Sequence, residues 1–128
     1  MKRLLLDTHA LLWYAQGASE LPDALVQLIQ QAGSNCFISR ASLWEVAIKS
    51  SLGKLVLPGG FGVWQARVRA QGFSLLEISD EHLQCLHGLP YHHRDPFDRL
   101  LIAQALTENL TLVSRDAKFA SYSLALMW

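Results

Sequence analysis

Four acidic residues in this chain stand where carboxylates can be gathered into one site. Two of them follow short apolar runs that predict strands, and two lie near the starts of predicted helices. Carboxylate oxygens are ligands that Mg²⁺ and Mn²⁺ prefer, and these ions also reach substrate phosphates. The pattern therefore predicts a divalent-metal site and a metal-dependent hydrolase. The four residues are Asp7, Glu45, Asp98 and Asp116.

Predicted strands and helices alternate along the chain. The apolar runs that predict four to five short strands are Leu4–Leu6, Cys36–Ile38, Phe73–Ile78, Leu110–Val113 and Leu124–Met127. Helical spacing predicts the intervening helices, among them one from Asp95 to about Asn109 and one that begins at Ser79 and buries Leu83 and Leu86. Such alternation implies an α/β fold with right-handed crossovers and a parallel sheet covered on both faces.

A parallel sheet would bring the four acids to one edge. The carboxyl ends of parallel strands share an edge, and open α/β sheets place their ligands there. Asp7 and Asp116 lie at that edge directly. Glu45 lies near the start of a helix that leaves this edge, and Asp98 begins a helix that must run away from it. We therefore expect all four side chains to lie together.

Helix capping is the alternative explanation for each acid taken singly. Helix N-termini favour acids by ~0.3–1 kcal/mol. Ser39 or Ser42 can cap the helix that contains Glu45, and Ser42 with Glu45 fits a capping box. Asp95 before Pro96 fits an N-cap. Capping explains a cluster of four less well, because two carboxylates ~5 Å apart repel by ~3 kcal/mol at an effective dielectric constant of ~20. A bound cation would offset that repulsion.

Length and composition predict a single domain over residues 1–128. The chain is 51% apolar, which is enough for one buried core. No apolar run is long enough for a signal peptide or a membrane span, so we expect a cytoplasmic protein without a membrane partner. Cys36 and Cys85 fit neither a disulfide framework nor a zinc motif.

The net charge is zero, whereas nucleic-acid-binding domains usually carry a basic excess. The overall count conceals how the charges are distributed. When the four clustered acids are set aside, 11 basic residues stand against seven acidic ones, a surplus of four positive charges. A polyanion could therefore approach the site. A neutral surface with no preference for nucleic acid is the alternative.

Four segments hold the acids in a specific order and spacing. They are LLLDTH at residues 4–9, SLWEVAIK at 42–49, DPFDRLLIAQA at 95–105 and LVSRD at 112–116. Together these segments resemble PIN-domain proteins and, more narrowly, the VapC toxins of bacterial toxin–antitoxin pairs. The resemblance covers nearly the whole chain.

The resemblance implies a three-layer α/β/α nuclease fold and hydrolysis of RNA phosphodiester bonds that depends on Mg²⁺ or Mn²⁺. It also implies neutralisation by a cognate antitoxin protein and assembly as a homodimer. Residue by residue, it assigns catalysis to the four acids. Asp7, Asp98 and Asp116 would hold the metal, and Glu45 would bind it through water or orient the nucleophile.

Residues next to the acids are candidates for positioning a substrate. Thr8 and Ser114 can form hydrogen bonds with a ligand or a phosphate, and Arg99 and Arg115 can pair with phosphate. Surface salt bridges are the alternative for the two arginines.

Three nearby histidines and a tryptophan receive no role from the resemblance. His9 follows the first acid, where no catalytic function transfers to it. The pair His92 and His93 could be a metal or acid–base element, but it lies in a predicted loop without a partner at ligand spacing. Trp13 is expected in the core or in an interface rather than in contact with RNA.

Two other functions compete with the nuclease. A receiver-like phosphoacceptor domain shares the size, the sheet and an acidic pocket, but it requires paired acids after the first strand. Here Thr8 follows Asp7, and the late lysine, Lys118, lies beyond Asp116. A catalytically silent module that binds RNA or protein is the second alternative, against which the presence of all four acids argues.

Overall fold

The computed structural model describes residues 2–128, and a five-stranded sheet forms its centre. Its strands are β1 (Leu4–Leu6), β2 (Cys36–Ser39), β3 (Ser74–Leu76), β4 (Thr111–Val113) and β5 (Leu126–Met127). Every neighbouring pair is parallel, and the order across the sheet is β3-β2-β1-β4-β5. The predicted α/β class and the parallel sheet of four to five short strands are therefore confirmed.

Helices connect and cover these strands. Within the described residues the α-helices are α1 (Thr8–Gln16), α2 (Asp23–Ala32), α3 (Arg40–Ser51), α4 (Phe61–Ala70), α5 (Asp80–Gly88) and α6 (Pro96–Glu108). Short 3₁₀ helices span Gly33–Asn35 and Ala117–Ser121. No helix of the described part is long and apolar enough to cross a membrane.

Side-chain alternation along β1 divides the core into two clusters. Leu4 and Leu6 pack in a cluster with residues of α1, α2, α3 and α4, whereas Leu5 packs in a second cluster with residues of α6. Successive side chains of a strand point to opposite faces of its sheet. All three leucines are fully buried. The sheet is therefore covered on both faces, which gives the expected three-layer α/β/α arrangement.

The helix α6 begins at the predicted N-cap. The carboxylate of Asp95 accepts hydrogen bonds from two backbone N–H groups of the first turn, and Pro96 occupies the first helical position. Proline suits that position because it has no N–H to satisfy. Residues 99–105 are all buried, so the rest of the protein encloses this helix. Enclosure fixes the direction in which Asp98 leaves the first turn.

Of the two predicted caps for α3, Ser39 is confirmed and the capping box at Ser42 is wrong. Ser39 rather than Ser42 is the N-cap, and its Oγ accepts a hydrogen bond of 3.0 Å from the N–H of Ala41. The helix therefore starts three residues earlier than that box requires. Glu45 lies in the second turn as a buried side chain, where the free N–H groups of the helix start cannot reach it.

The helix α5 buries a histidine in place of the predicted Leu83. Leu83 is 49% exposed, whereas His82 is 1% exposed. His82 Nδ1 accepts a 3.0 Å hydrogen bond from the N–H of Ser79, and its Nε2 lies 2.9 Å from the carboxylate of Glu108. Both ring nitrogens thus have partners, which allows the imidazole to be buried. This arrangement turns Leu83 toward solvent.

Candidate active site

Asp7 leaves the carboxyl end of β1 and is the N-cap of α1. Its Oδ1 accepts a hydrogen bond of 2.8 Å from the N–H of Ala10, and the side chain of Ser114 also forms a hydrogen bond with it. Burial raises the pKa of Asp7 by more than these hydrogen bonds lower it, and the charge of Asp116 adds to the rise. A nearby cation would therefore stabilise the ionised form of Asp7.

Glu45 is buried and already has partners. Its Oε1 accepts a hydrogen bond of 2.7 Å from the hydroxyl of Thr8, and its Oε2 lies 2.6 Å from the ammonium nitrogen of Lys49. The Thr8 hydroxyl also lies 3.1 Å from that of Ser42. The Lys49 contact raises the pKa of the lysine, chiefly through its hydrogen bond with Glu45. Thr8, a candidate for positioning substrate, is buried and orients Glu45.

Asp98 lies in the first turn of α6 and is the most perturbed of these acids. Its pKa rises from 3.8 to about 7, first because of burial and then because of the charges of Asp95, Glu45, Asp7 and Asp116. Four other carboxylates therefore lie within electrostatic reach of Asp98. The structure brings all four sequence-predicted acids, together with Asp95, to the carboxyl edge of the sheet.

Asp116 follows β4 and is exposed. Its carboxylate accepts a hydrogen bond of 2.9 Å from the N–H of Lys118, and its own N–H donates to Ser114 Oγ at 3.0 Å. The buried Ser114 side chain therefore contacts two of the acids, because it also forms a hydrogen bond with Asp7. Ser114 therefore orients the carboxylate of Asp7 and the backbone of Asp116.

His93 joins the cluster, although the sequence suggested no partner for it. Its Nε2 lies 3.0 Å from Asp98 Oδ2, and its ring packs against Phe119. Nδ1 is buried without a hydrogen-bond partner among the described residues, so Nε2 is the ring nitrogen that faces the acids. Its position five residues before Asp98, just ahead of the Asp95 N-cap, was the signal available in the sequence.

The donor set at this edge suits a hard divalent cation. One possible ligand atom from each of His93, Asp98 and Asp116 lies within 4.8 Å of the others. Carboxylate oxygens with one imidazole nitrogen suit Mn²⁺, and the carboxylates alone suit Mg²⁺. Asp7 and Asp116 also share the lining of an adjoining pocket. The raised pKa of Asp98 reflects the same crowding of negative charge that a cation would relieve.

Arg99, the next residue after Asp98, is directed elsewhere. Its guanidinium donates to the backbone carbonyl of Pro90 at 2.9 Å and to those of Leu86 and Leu89 at 3.3 Å. It also lies over the ring of Tyr91, with 4.0 Å between the guanidinium carbon and the ring centroid. Arg99 is 5% exposed and anchors the loop before α6. It lines neither of the two pockets beside the acids.

Two open pockets lie on either side of Asp116. One, of about 250 Å³, is lined by Asp7, His9, Trp13, Arg115 and Asp116. The other, of about 330 Å³, contains Asp98, Asp116, His93, Arg94 and Lys118. Each pocket therefore combines site acids with cationic or aromatic side chains. A polymer that runs across the acids would meet such side chains in both pockets.

A parallel α/β/α sheet with an acidic carboxyl edge defines a class of proteins that bind ligands at that edge. The PIN domain family matches residues 4–124, and the chain belongs to that family. The predicted family is thus confirmed, and the match gives no support to the receiver-like alternative. No curated protein matches the chain in sequence.

Solved structures share the fold at low sequence identity. VapBC from Salmonella typhimurium, bound to DNA, has a TM-score of 0.72 at 15% identity, over 99% of this chain and 98% of that one. VapBC2 from Rickettsia felis, bound to a promoter DNA fragment, has 0.70 at 20%, over 97% and 96%. A toxin–antitoxin complex from Klebsiella pneumoniae has 0.66 at 16%, over 98% and 96%.

Proposed function

We propose that this protein is a metal-dependent endoribonuclease that hydrolyses RNA phosphodiester bonds. The observation that carries the proposal is the Asp98 carboxyl, whose pKa is raised to about 7 by burial and by four neighbouring carboxylates. Such crowding destabilises a metal-free protein, so it favours a function in which a cation is bound. Membership of the PIN-domain family supports the same conclusion.

Asp7, Asp98 and Asp116 are the residues proposed to hold Mg²⁺ or Mn²⁺. When bound, the ion supplies the Lewis acidity that polarises a scissile phosphate and lowers the pKa of a water. Glu45 is fixed by Thr8 and Lys49, which suits it to orient a water or to act through one. Near neutral pH the proton on Asp98 must leave before the carboxylate can bind a cation.

Among the candidates for positioning substrate, Arg115 is the one suited to meet RNA directly. It is exposed and lines the pocket that contains Asp7 and Asp116. Thr8 and Ser114 act through the carboxylates that they hold. Arg99 acts through the loop that it anchors. Of these four candidates, Arg115 is therefore the one that offers a cation to a phosphate at the acidic edge.

RNA cleavage by the purified protein tests the enzymatic proposal. Activity on mixed cellular RNA should require Mg²⁺ or Mn²⁺ and should fall by about 100-fold or more in Asp7→Asn, as when a group that stabilises the transition state is lost. Asp80→Asn is the matched control, because Asp80 is also in a first helical turn but lies on α5. Equal cleavage in excess chelator, or by Asp7→Asn, would refute the metal-dependent mechanism, whereas no cleavage by the native protein with metal would favour the silent binding module.

We also propose that the nuclease is the toxin of a toxin–antitoxin pair and forms a homodimer. The chain shares its fold with the toxin–antitoxin complexes described above. Exposed apolar side chains offer surface for a protein partner: Trp44, Leu52 and Val56 are 57%, 63% and 83% exposed. Production of the protein should arrest growth, and co-production of an adjacently encoded small protein should restore it. Unimpeded growth with an active nuclease would refute the toxin role alone.

A further inference from the structure

One side of the acidic edge is lined by aromatic and cationic side chains that hold one another in place. The rings of His9 and Trp13 stack with 5.5 Å between centroids, and the guanidinium of Arg115 lies 4.6 Å from the Trp13 centroid. Trp128 meets the Trp13 ring edge-on at 5.7 Å. We call these four residues the aromatic wall.

Three of the four wall residues are tied in sequence to a site acid. His9 lies two residues after Asp7, and one helical turn separates it from Trp13 on α1. Arg115 immediately precedes Asp116. The geometry that sets the acids therefore also sets the wall, and the two share one pocket of about 250 Å³.

Core packing does not explain every residue of the aromatic wall. The contact between Trp128 and Trp13 is explained by β5 packing on the sheet edge. It does not account for the exposed His9, or for an exposed Arg115 that has no carboxylate within ion-pair distance among residues 2–128. Both side chains border the pocket beside Asp7. An aromatic surface beside a cation that has no ion-pair partner is suited to a planar ligand that is part of an anion.

Unpaired nucleotides have that chemistry. Bases of single-stranded RNA stack on His, Trp and the plane of Arg, whereas paired bases are hidden within a helix. At about 250 Å³ the pocket lies just below the usual range for ligand sites, about 300–1,000 Å³, and suits one base rather than a folded element. A phosphate held at the acids would place its own nucleotide beside the wall.

We infer that the aromatic wall is a stacking site for one unpaired nucleobase adjacent to the scissile phosphate. The inference rests on the proposed nuclease function and adds a requirement to it, because the RNA must be single-stranded at that nucleotide. Trp13 holds the wall together, His9 and Arg115 present surface to the base, and the cation of Arg115 also offsets the repulsion between the acids and the RNA backbone.

Anisotropy of fluorescently labelled RNA separates stacking from charge. One probe is a random-sequence pool of short single-stranded RNA, and the other is a ribose-phosphate chain of the same length that lacks bases. Both are titrated without divalent metal into the Asp98→Asn protein, so that neither cleavage nor metal affects the result. The quantity of interest is the dissociation constant of the base-free chain divided by that of the RNA. This ratio isolates the contribution of the bases.

Stacking on the wall should contribute a factor of about 10 to that ratio. Adding His9→Ala or Arg115→Ala should lower the ratio, whereas the matched controls His87→Ala and Arg67→Ala, exposed on α5 and α4, should leave it unchanged. Trp13→Phe keeps an aromatic ring, so the ratio should stay close to its original value. Trp13→Leu removes the ring, so the ratio should fall. The exposed His9 and Arg115 variants decide the question if Trp13→Leu fails to fold.

Three results would overturn the inference. The ratio could be unchanged in the His9 and Arg115 variants, or double-stranded RNA could bind as tightly as the single-stranded pool. The wall variants could also lose affinity for the antitoxin while keeping the RNA ratio. If the native protein still cleaves RNA with metal, only the stacking site fails. If neither probe binds and no RNA is cleaved, the proposed function fails with it.

Discussion

Glu45 and Asp98 lie at the same edge of one sheet, but their surroundings differ in charge. Glu45 contacts the ammonium of Lys49 at 2.6 Å and the hydroxyl of Thr8 at 2.7 Å. Asp98 contacts the His93 imidazole but also feels the charges of four other carboxylates, and its pKa rises to about 7. Glu45 is therefore compensated within the protein, whereas Asp98 gains most from a cation. Acids in one cluster can therefore differ in how far the protein itself compensates their negative charge.

The largest expected effect of this difference is the change of the free energy of unfolding with pH in metal-free protein. Unfolded Asp98 releases its proton near 3.8, whereas the pKa in the folded protein is about 7. Between these values the folded state binds the extra proton, so the free energy of unfolding should fall as pH rises and should level off above about 7. The fall corresponds to at most about 4 kcal/mol, measurable by urea unfolding.

Asp98→Asn should remove this part of the pH dependence, and Asp80→Asn should retain it. The Asn variant should also be at least as stable as the wild type above neutral pH, because it relieves the repulsion. A pH profile that is identical in wild type and Asp98→Asn would contradict the assignment of the perturbed group.

A smaller effect is expected when Glu45 loses its compensation. Lys49→Met leaves a buried carboxylate without its cation. Breaking a buried ion pair costs ~3–5 kcal/mol, but the Lys49 side chain is 43% exposed, so we expect a loss of about 2 kcal/mol. Thermal unfolding in chelator measures it, with the exposed Lys54→Met as control. No difference between these variants would mean that Glu45 is not compensated by Lys49.

The response to Mn²⁺ should distinguish the two acids. Metal at ~10 times its dissociation constant should stabilise the wild type by ~1.4 kcal/mol, a shift of several degrees in thermal unfolding. Glu45→Gln should keep most of this stabilisation, because Glu45 is already paired, and Asp98→Asn should lose most of it. The reverse order would place the cation at Glu45.

The smallest effect concerns the hydroxyl that holds Glu45. Thr8→Val keeps the shape of the side chain but removes the donor to Glu45 Oε1. We expect a loss of about 1 kcal/mol in the free energy of unfolding, and Thr8→Ser should restore part of it. If Thr8→Val is as stable as the wild type, the hydrogen bond from Thr8 to Glu45 does not contribute to the free energy of unfolding.

Local patterns made much of the site predictable. Asp95 before Pro96 fixed the start of α6, and the strand that precedes Asp7 fixed the position of that acid. The spacing of Glu45 and Lys49, four residues apart on a helix, is also a local signal of the ion pair that the structure contains. The misplaced capping box at Ser42 arose because Ser39 offered an equivalent cap one turn earlier.

The sequence by itself determined the alternation of strands and helices and hence the gathering of four acids at one edge, because periodicity and chain order set the topology of a parallel sheet. Only the tertiary structure decided that His93 meets Asp98, that Arg99 turns to the carbonyl of Pro90, and that His9 and Arg115 share a wall beside the acids. Those outcomes depend on side-chain directions and on packing between distant segments, which no local pattern encodes.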